Sequence, residues 1–420
     1  MTALAKFLTP NKQAFLFVTI DNYNISGVTY GDNFGSSVAI DGNYVVVGSP
    51  YESYANYQQG IVYVFNATTG SYLTFLRSPF STFSGSNQRF GESVDISGNY
   101  AIVGAPGFSN SGYYNSGLIA IYDVNTGSRV YYRLNPNTDT SDTTDYFGGS
   151  VAIDGNYAIV GAYNEDDAGD SNSGKAYIFY TANGSWIDTS LIYTLDNPNA
   201  YDTSANDNFG FSVAISGNYA IVGAPYEDDA SGLGSGKAYI FDVTTGSLVY
   251  TLDNPNAYDT SAGDNFGFSV AIDGNYAIVG ARYEDDAGGS NSGKAYIFYT
   301  ANGTWADAAL LHTLDNPNAY DTSAGDLFGR AVAISGNYAI VNAISEEDAN
   351  GLNSGKVYIF DVTTGTLLRT LHNPNAYGTS AGDNFGVTIA TDGTKAIVGV
   401  PNEDDATGSS SGKAYVFGLY

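Results

Sequence analysis

Hydrophobic and polar positions alternate over short stretches of the chain, and one such pattern returns seven times. In the copy from Gly263 to Ala281, GDNFGFSVAIDGNYAIVGA, two apolar segments flank a three-residue Asp-Gly-Asn turn. This arrangement predicts a tight β-hairpin. A third strand such as KAYIF (237–241) follows a longer loop, and a Thr-Thr-Gly turn leads to a fourth, SLVYTL (247–252). Each unit is therefore predicted to contain four antiparallel strands.

A Phe-Gly pair opens each unit, at Phe34-Gly35, Phe90-Gly91, Phe147-Gly148, Phe209-Gly210, Phe266-Gly267, Phe328-Gly329 and Phe385-Gly386. The pairs are spaced by 56, 57, 62, 57, 62 and 57 residues, a period typical of repeated supersecondary units. Seven units of four strands predict an all-β fold, a seven-bladed β-propeller. We interpret residues 1–420 as one domain.

The two ends of the chain are predicted to share one blade. The last repeat stops after its third strand, Lys413 to Phe417, and residues 14–20 precede the first Phe-Gly where a fourth strand belongs. Pairing them closes the ring and removes the exposed edges of an open stack. A β-solenoid is the alternative fold, but it would not need its first strand to complete the last repeat.

Strand alternation sorts the loops between two faces. The connections from strand two to three and from strand four to the next blade leave on one face and are long, for example 225–236 and 253–264. The opposite face has short turns, apart from two extended connections that carry Trp186 and Trp305. Because recognition usually lies in loops on a rigid scaffold, we expect the long-loop face to contact partners.

The opening Phe-Gly and the closing Val-Gly-Ala-Pro, as in Phe209-Gly210 and 222–225, resemble the FG-GAP repeat family. That family includes integrin α-chain propellers and bacterial and phage surface proteins. The resemblance implies a non-enzymatic adhesion or interaction platform. The Asp-rich calcium loop of integrin propellers has no counterpart in Asp273-Gly274-Asn275. The Ala-Pro closure varies, for instance at Ala162-Tyr163 and Ala281-Arg282, which we interpret as drift at a turn.

The chain is strongly acidic, with 15 basic and 43 acidic residues and a net charge of -28. Such a charge repels nucleic acid and anionic membranes, so neither is an expected partner. There is no cysteine for disulfide or thiolate chemistry. No long apolar run and no charged leader segment are present, so membrane insertion and an ordinary signal peptide are not expected. The composition favours an extracellular, cell-surface or virion location.

Acidic triplets occupy the second-to-third loops of five blades and are candidate calcium ligands. Four of them are Glu165, Asp166, Asp167, Glu227, Asp228, Asp229, Glu284, Asp285, Asp286, Glu403, Asp404 and Asp405, and the fifth is 346–348. A lysine follows each triplet and opens the third strand. The alternative is a solvated acidic rim in which each lysine pairs with its own triplet. No cofactor is required in either case.

Blades one and two replace the acids with aromatic residues. These candidates for contacting a partner are Tyr51, Tyr54, Tyr57, Phe80, Phe83, Phe108, Tyr113 and Tyr114. Because aromatic side chains bury large areas and are frequent in binding hot spots, they predict a docking patch for a protein or glycan. The alternative is that the rings pack on one another and stiffen loops without acid–lysine pairs.

No nucleophile elbow, phosphate loop or paired metal histidines occur in the sequence, so an enzyme is not expected. The primary hypothesis is an extracellular adhesion or interaction propeller that binds a protein or glycan through its long-loop face. A structural subunit of a phage or virus particle, contacting neighbouring virion proteins, is the second. A carbohydrate-active enzyme on a propeller scaffold is the third.

Overall fold

A computed structural model of the chain describes residues 15–23, 31–53, 58–80, 87–109, 114–137, 144–166, 170–199, 204–230, 232–256, 260–287, 289–318, 322–347, 351–375, 380–404 and 410–419. In these ranges, 28 strands form seven four-stranded antiparallel sheets, which are the blades of a β-propeller. The predicted fold is therefore confirmed. No helix in the described ranges has the length and apolarity needed to cross a bilayer.

The strands follow the blades in chain order. Strand β1 is Phe15–Asp21. Blade one contains β2 (Ser37–Asp41), β3 (Tyr44–Ser49), β4 (Ile61–Asn66) and β5 (Tyr72–Arg77). Blade two contains β6 (Ser93–Ser97), β7 (Tyr100–Ala105), β8 (Leu118–Asp123) and β9 (Ser128–Leu134). Blade three contains β10 (Ser150–Asp154), β11 (Tyr157–Ala162), β12 (Lys175–Tyr180) and β13 (Ser190–Asp196).

The remaining four blades repeat this order. Blade four contains β14 (Ser212–Ser216), β15 (Tyr219–Ala224), β16 (Lys237–Asp242) and β17 (Ser247–Asp253). Blade five contains β18 (Phe266–Asp273), β19 (Tyr276–Ala281), β20 (Lys294–Tyr299) and β21 (Ala309–Asp315). Blade six contains β22 (Phe328–Ser335), β23 (Tyr338–Ala343), β24 (Lys356–Asp361) and β25 (Leu367–His372). Blade seven contains β26 (Thr388–Thr391), β27 (Lys395–Val400) and β28 (Lys413–Gly418).

Strand β1 completes blade seven by pairing antiparallel with β28, so the predicted ring closure is confirmed. The register places Asp21 opposite Lys413 and Ile20 opposite Ala414. The first strand of every blade contacts the first strands of both neighbouring blades, including β2 with β26. These seven strands are therefore innermost and surround the central channel.

The hairpin turns differ from the sequence prediction by one residue. Asp273 pairs with Tyr276 as the last position of the β18–β19 ladder, so only Gly274 and Asn275 form the turn. Gly274 has a φ of +55°. Two-residue turns with positive φ match the twist of the flanking strands, and Gly-Asn suits them.

The core lies between the blades, in seven apolar clusters, one at each blade interface of the described structure. The interface of blades four and five, for example, packs Ile240 and Leu252 of one blade against Val279 and Tyr296 of the next. The Phe of each Phe-Gly pair has no exposed surface. The repeated Phe thus belongs to the core between successive blades.

A belt of side-chain hydrogen bonds also joins the blades. Ser269 Oγ donates to the Gly329 carbonyl oxygen of the next blade at 2.8 Å, and Ser37 Oγ donates to that of Gly91 at 2.6 Å. Thr388 Oγ1 closes the ring by donating to the Gly35 carbonyl oxygen at 2.9 Å. Blade six has Ala331 at the serine position, and there Asn342 Nδ2 donates to the Gly386 carbonyl oxygen at 2.7 Å.

The belt explains the glycine in Val-Gly-Ala. A Cβ on Gly280 would lie 1.9 Å from the Gly329 carbonyl oxygen and 2.5 Å from Ser269 Oγ. Only blade six has another residue, Asn342, at this glycine position, and blade six is also the blade with Ala331 at the serine position. The Oδ1 atom of Asn342 accepts a hydrogen bond from the Ala331 amide at 2.6 Å. The two positions have therefore changed together.

Candidate functional site

Two positions of each repeat lie at the mouth of the central channel on the long-loop face. One follows Phe-Gly at the entrance to the innermost strand, and the other follows the second strand. The first position holds Ser36, Glu92, Gly149, Phe211, Phe268, Arg330 and Val387. The second holds Pro50, Pro106, Tyr163, Pro225, Arg282, Ile344 and Pro401. Residue type varies strongly at these positions in an otherwise uniform repeat.

Aromatic rings from three successive blades form a row at this mouth. The ring centres of Tyr146 and Tyr163 are 5.4 Å apart, and the planes are stacked. Tyr163 lies 5.3 Å from Phe211 of the next blade, and Phe211 lies 4.8 Å from Phe268 of the blade after that. All four side chains are half-buried. The row therefore leaves part of each ring accessible near the channel.

Three of the seven arginines of the chain pack on the ends of this row. The Arg89 guanidinium lies 5.2 Å from the Tyr146 ring centre. The Arg282 guanidinium lies 3.5 Å from the ring centre of Phe268, and that of Arg330 lies 6.0 Å from the same centre. The four rings and three arginines are called the channel-mouth cluster below. Cation–π contacts of this kind stabilise each guanidinium against a ring face.

The arginines of the channel-mouth cluster differ in their charge partners. Arg89 forms an ion pair with Glu92 at 3.1 Å. Burial lowers the pKa of Arg282 and of Arg330, and the charge of Arg282 lowers that of Arg330 further. Neither Arg282 nor Arg330 has a carboxylate partner within the described ranges. The buried Nε of Arg282 also has no hydrogen-bond partner there.

An open polar cleft of about 490 Å³ lies beside Tyr283, the residue that follows Arg282. Tyr283 lines the cleft, and its ring centre lies 4.3 Å from the Arg282 guanidinium. The other lining residues are Thr260, Ala262, Gly263, Asp264, Asp285 and Asn291. Hydroxyl, amide and carboxylate groups there can donate and accept hydrogen bonds. Tyr283 thus contacts the channel-mouth cluster on one side and lines the polar cleft on the other.

The glutamate of each acidic triplet points inward. Glu165, Glu227, Glu284 and Glu403 are at most 1% exposed, and each accepts a hydrogen bond from a tyrosine of the third strand, for example Tyr177 on Glu165 at 2.6 Å. Burial raises the pKa of Glu165 and of Glu227 to about 8 and that of Glu403 to about 7. These glutamates belong to the interior of their blades.

The aspartates of the triplets bind their own loops. A carboxylate oxygen of each of Asp166, Asp228, Asp285 and Asp404 accepts a backbone N–H six residues later, at 2.7 Å in every case. Asp229 and Asp286 accept from Gly232 and Gly289. No group of three metal-ligating side chains suited to an ion occurs in the described ranges, and Asp167 and Asp405 lie outside them.

The lysine that recurs at the start of the third strand has a partner that the sequence did not predict. Lys175, Lys237 and Lys294 pair with Asp196, Asp253 and Asp315, the cross-strand residues that end each fourth strand. In blade six this residue is His372, and Lys356 pairs instead with Glu346 at 2.5 Å. Lys413 contacts both Asp21 and Glu403, at 3.3 and 3.7 Å. Pairing with the triplet is thus only part of the role of the lysines.

The aromatic residues of blades one and two are placed differently from one another. Phe108 is 4% exposed in the core, and its ring centre lies 5.0 Å from that of Phe80. These two rings match the packing alternative. Tyr114 is 69% exposed and Tyr51 is half-buried. The remaining candidates, Tyr54, Tyr57, Phe83 and Tyr113, lie outside the described residues.

A family profile described as the FG-GAP repeat matches seven stretches that together cover more than half of the chain, at residues 26–65, 84–122, 139–179, 199–241, 256–298, 318–360 and 375–417. The chain belongs to the FG-GAP repeat family. Each matched stretch of this FG-GAP propeller runs from a fourth-to-first loop to the third strand, which leaves the outer fourth strand outside the repeat signature. A search of curated proteins found no match.

The channel-mouth cluster was missed by sequence reasoning, although its signal was present. Tyr163 and Arg282 break the Ala-Pro closure, and we interpreted them as drift at a turn. Phe211, Phe268 and Arg330 stand where the other repeats have Ser36, Gly149 or Val387. Large side chains at one or both of these positions in four successive FG-GAP repeats were the available signal.

Proposed function

We propose that this FG-GAP propeller is a non-enzymatic binding protein that receives a protein or glycan partner at the channel mouth of its long-loop face. It acts outside the cell, at a cell surface or on a virus particle. FG-GAP propellers are typically binding or adhesion domains. The observation that carries the assignment to this surface is the channel-mouth cluster, where the repeat pattern fails in five successive blades.

The chemistry of the channel-mouth cluster supports recognition. Aromatic residues and arginine are the side chains most enriched in binding hot spots. The four rings hold one another in place through ring contacts of 4.8 to 5.4 Å, so little side-chain entropy is lost when a partner packs on them. The row also borders the innermost strands, which hydrogen bonds from Ser212 to Gly267 and from Ser269 to Gly329 tie to the next blade. Rigid placement of this kind favours binding.

The proposed function is tested with an array of immobilised glycans and extracellular proteins. We expect Phe211→Ser to weaken binding of any captured partner at least tenfold, because Phe211 contacts the rings on both sides of it. Tyr114→Ser serves as the control, since Tyr114 is 69% exposed on a loop of blade two and is not a member of the channel-mouth cluster. Loss of binding in the control with retention in Phe211→Ser would contradict the site, and turnover of a captured glycan would contradict the non-enzymatic assignment.

A further inference from the structure

We infer that the channel mouth binds a carboxylated sugar unit of a glycan, a uronic or sialic acid, whose carboxylate is held by Arg282 and Arg330. This inference rests on the proposed function and names its ligand. It follows from the charge, the rings and the cleft at one place on the long-loop face.

The two arginines call for an anion that the chain does not provide. Both guanidiniums are half-buried and converge on the Phe268 ring, at 3.5 and 6.0 Å from its centre. Two like charges brought together out of water are costly without a counter-charge. In a chain of net charge -28, neither has a carboxylate partner among the described residues. A carboxylate fits because it accepts two parallel hydrogen bonds from a guanidinium fork.

The charge around the site favours a single acidic group over a polyanion. The second-to-third loops of the long-loop face carry exposed Asp166 and Asp404 and partly exposed Asp228, Asp229 and Asp285. This acidic rim repels densely charged chains at long range. A glycan with isolated carboxylates is repelled less by these aspartates and can reach Arg282 and Arg330.

The rings and the polar cleft favour a sugar over an acidic peptide. The apolar C–H face of a pyranose packs on an aromatic ring, and the Tyr283 ring borders both the Arg282 guanidinium and the cleft. Beyond that ring the cleft presents Thr260, Asp285 and Asn291, which can pair with sugar hydroxyls. An acidic peptide would present amide groups and one flexible carboxylate to the same surface. The combination of ring, guanidinium and closely set polar groups suits one rigid hydroxylated ring.

The test compares two sugars that differ only in the acid group. Methyl β-D-glucuronide and methyl β-D-glucoside are titrated into the full chain by saturation-transfer NMR and calorimetry, with the methyl glycoside of N-acetylneuraminic acid as the sialic probe. We expect at least one acidic sugar to bind tenfold more tightly than the neutral glucoside. The double variant R282Q/R330Q should remove this preference.

A matched control changes the net charge by the same amount as R282Q/R330Q. R129Q/R133Q also removes two positive charges, from exposed positions on the outer strand of blade two, and should leave the preference intact. If R282Q/R330Q does not fold, R282K/R330K retains charge without the planar fork and should reduce the preference at least threefold. Equal binding of acidic and neutral sugars would overturn the inference and leave the proposed function standing. Tighter binding of a capped Gly-Asp-Gly peptide than of either acidic sugar would also overturn it.

Discussion

The hydroxyl of Tyr239 lies 2.6 and 2.7 Å from the two carboxylate oxygens of Glu227, in a site closed to solvent. The same pairing recurs as Glu52–Tyr63, Glu165–Tyr177, Glu284–Tyr296, Glu346–Tyr358 and Glu403–Tyr415. Blade one therefore keeps the buried glutamate, and the interpretation that its loop replaces the acids was wrong at Glu52. Blade two has Phe108 and Ala120 at the two positions. Blade two thus has a buried apolar pair where the other blades have a buried, hydrogen-bonded Glu–Tyr pair, and both members of the pair differ together.

Tyr239→Phe should destabilise the protein by about 1–3 kcal/mol, because a buried carboxylate loses its donor. Urea unfolding of the wild type and the variant measures this difference. Tyr114→Phe is the control, since its hydroxyl belongs to a side chain that is 69% exposed, and it should have no measurable effect. Equal stability of Tyr239→Phe and the wild type would contradict the structural role of the pair.

The blade-two pair predicts strong coupling between the two positions. Glu227→Phe and Tyr239→Ala should each destabilise the protein, since the first crowds the site and the second leaves a cavity. The double variant has the same residue types as Phe108 and Ala120 of blade two. Its loss of unfolding free energy should therefore be smaller than the sum of the two single losses by about 1–3 kcal/mol. A double-mutant cycle by urea unfolding measures the coupling. Simple additivity would show that the pairs do not exchange as units.

Stability should fall as the pH rises from about 5 to about 9. Burial raises the pKa of Glu165 and Glu227 to about 8 and that of Glu403 to about 7, all from 4.5. Between the unfolded and folded pKa values the folded state binds more protons, so raising the pH favours unfolding. The melting temperature should therefore be higher at pH 5.5 than at pH 8.5. A higher value at pH 8.5 would contradict the assigned direction of the shifts.

Blade six offers a rescue experiment on the blade-to-blade belt. Asn342→Gly removes the hydrogen bond to the Gly386 carbonyl oxygen and should cost about 1–2 kcal/mol. Adding Ala331→Ser recreates the serine–glycine pair of blades one to five and should recover most of the loss. Thermal unfolding of the wild type, Asn342→Gly and the double variant tests this. A double variant no more stable than Asn342→Gly would contradict the stabilising role of the hydrogen bonds between blades.

Gly280→Ala and Gly274→Ala should differ sharply in stability. A Cβ on Gly280 would overlap the Gly329 carbonyl oxygen, so we expect a loss of about 3 kcal/mol or more. Gly274 has no atom within 4 Å of an added Cβ and bears only the left-handed φ of +55°, which costs about 1 kcal/mol for alanine. Melting temperatures of the two variants decide the comparison, and similar losses would be evidence against tight blade contact at Gly280.

The ring was predictable because its causes are local and repeated. Phe266-Gly267, the hairpin from 266 to 281 and the third strand recur in every unit, and the missing outer strand of blade seven could be matched to residues 14–20 by spacing alone. The buried glutamates were harder to predict, because glutamate is rarely buried without a partner. The recurrence of Tyr239 twelve residues after Glu227 was the available clue.

The large side chains of the channel-mouth cluster were visible in the repeat pattern, but the contacts between them could not be predicted from it. Phe211 and Phe268 are 57 residues apart in the sequence, and their ring centres lie 4.8 Å apart only because adjacent innermost strands meet. Arg330 and Arg282 likewise come from different blades and converge on the one ring of Phe268. Contacts of this kind depend on which face and which radius of the propeller each position occupies.

A crystal structure of the protein soaked in methyl β-D-glucuronide is the most direct measurement of the role assigned to the channel mouth. We expect the sugar carboxylate within hydrogen-bond distance of Arg282 and Arg330 and the pyranose ring against Tyr283. Sugar bound only on the outer strands, or an empty channel mouth at a concentration that saturates binding in solution, would contradict the account.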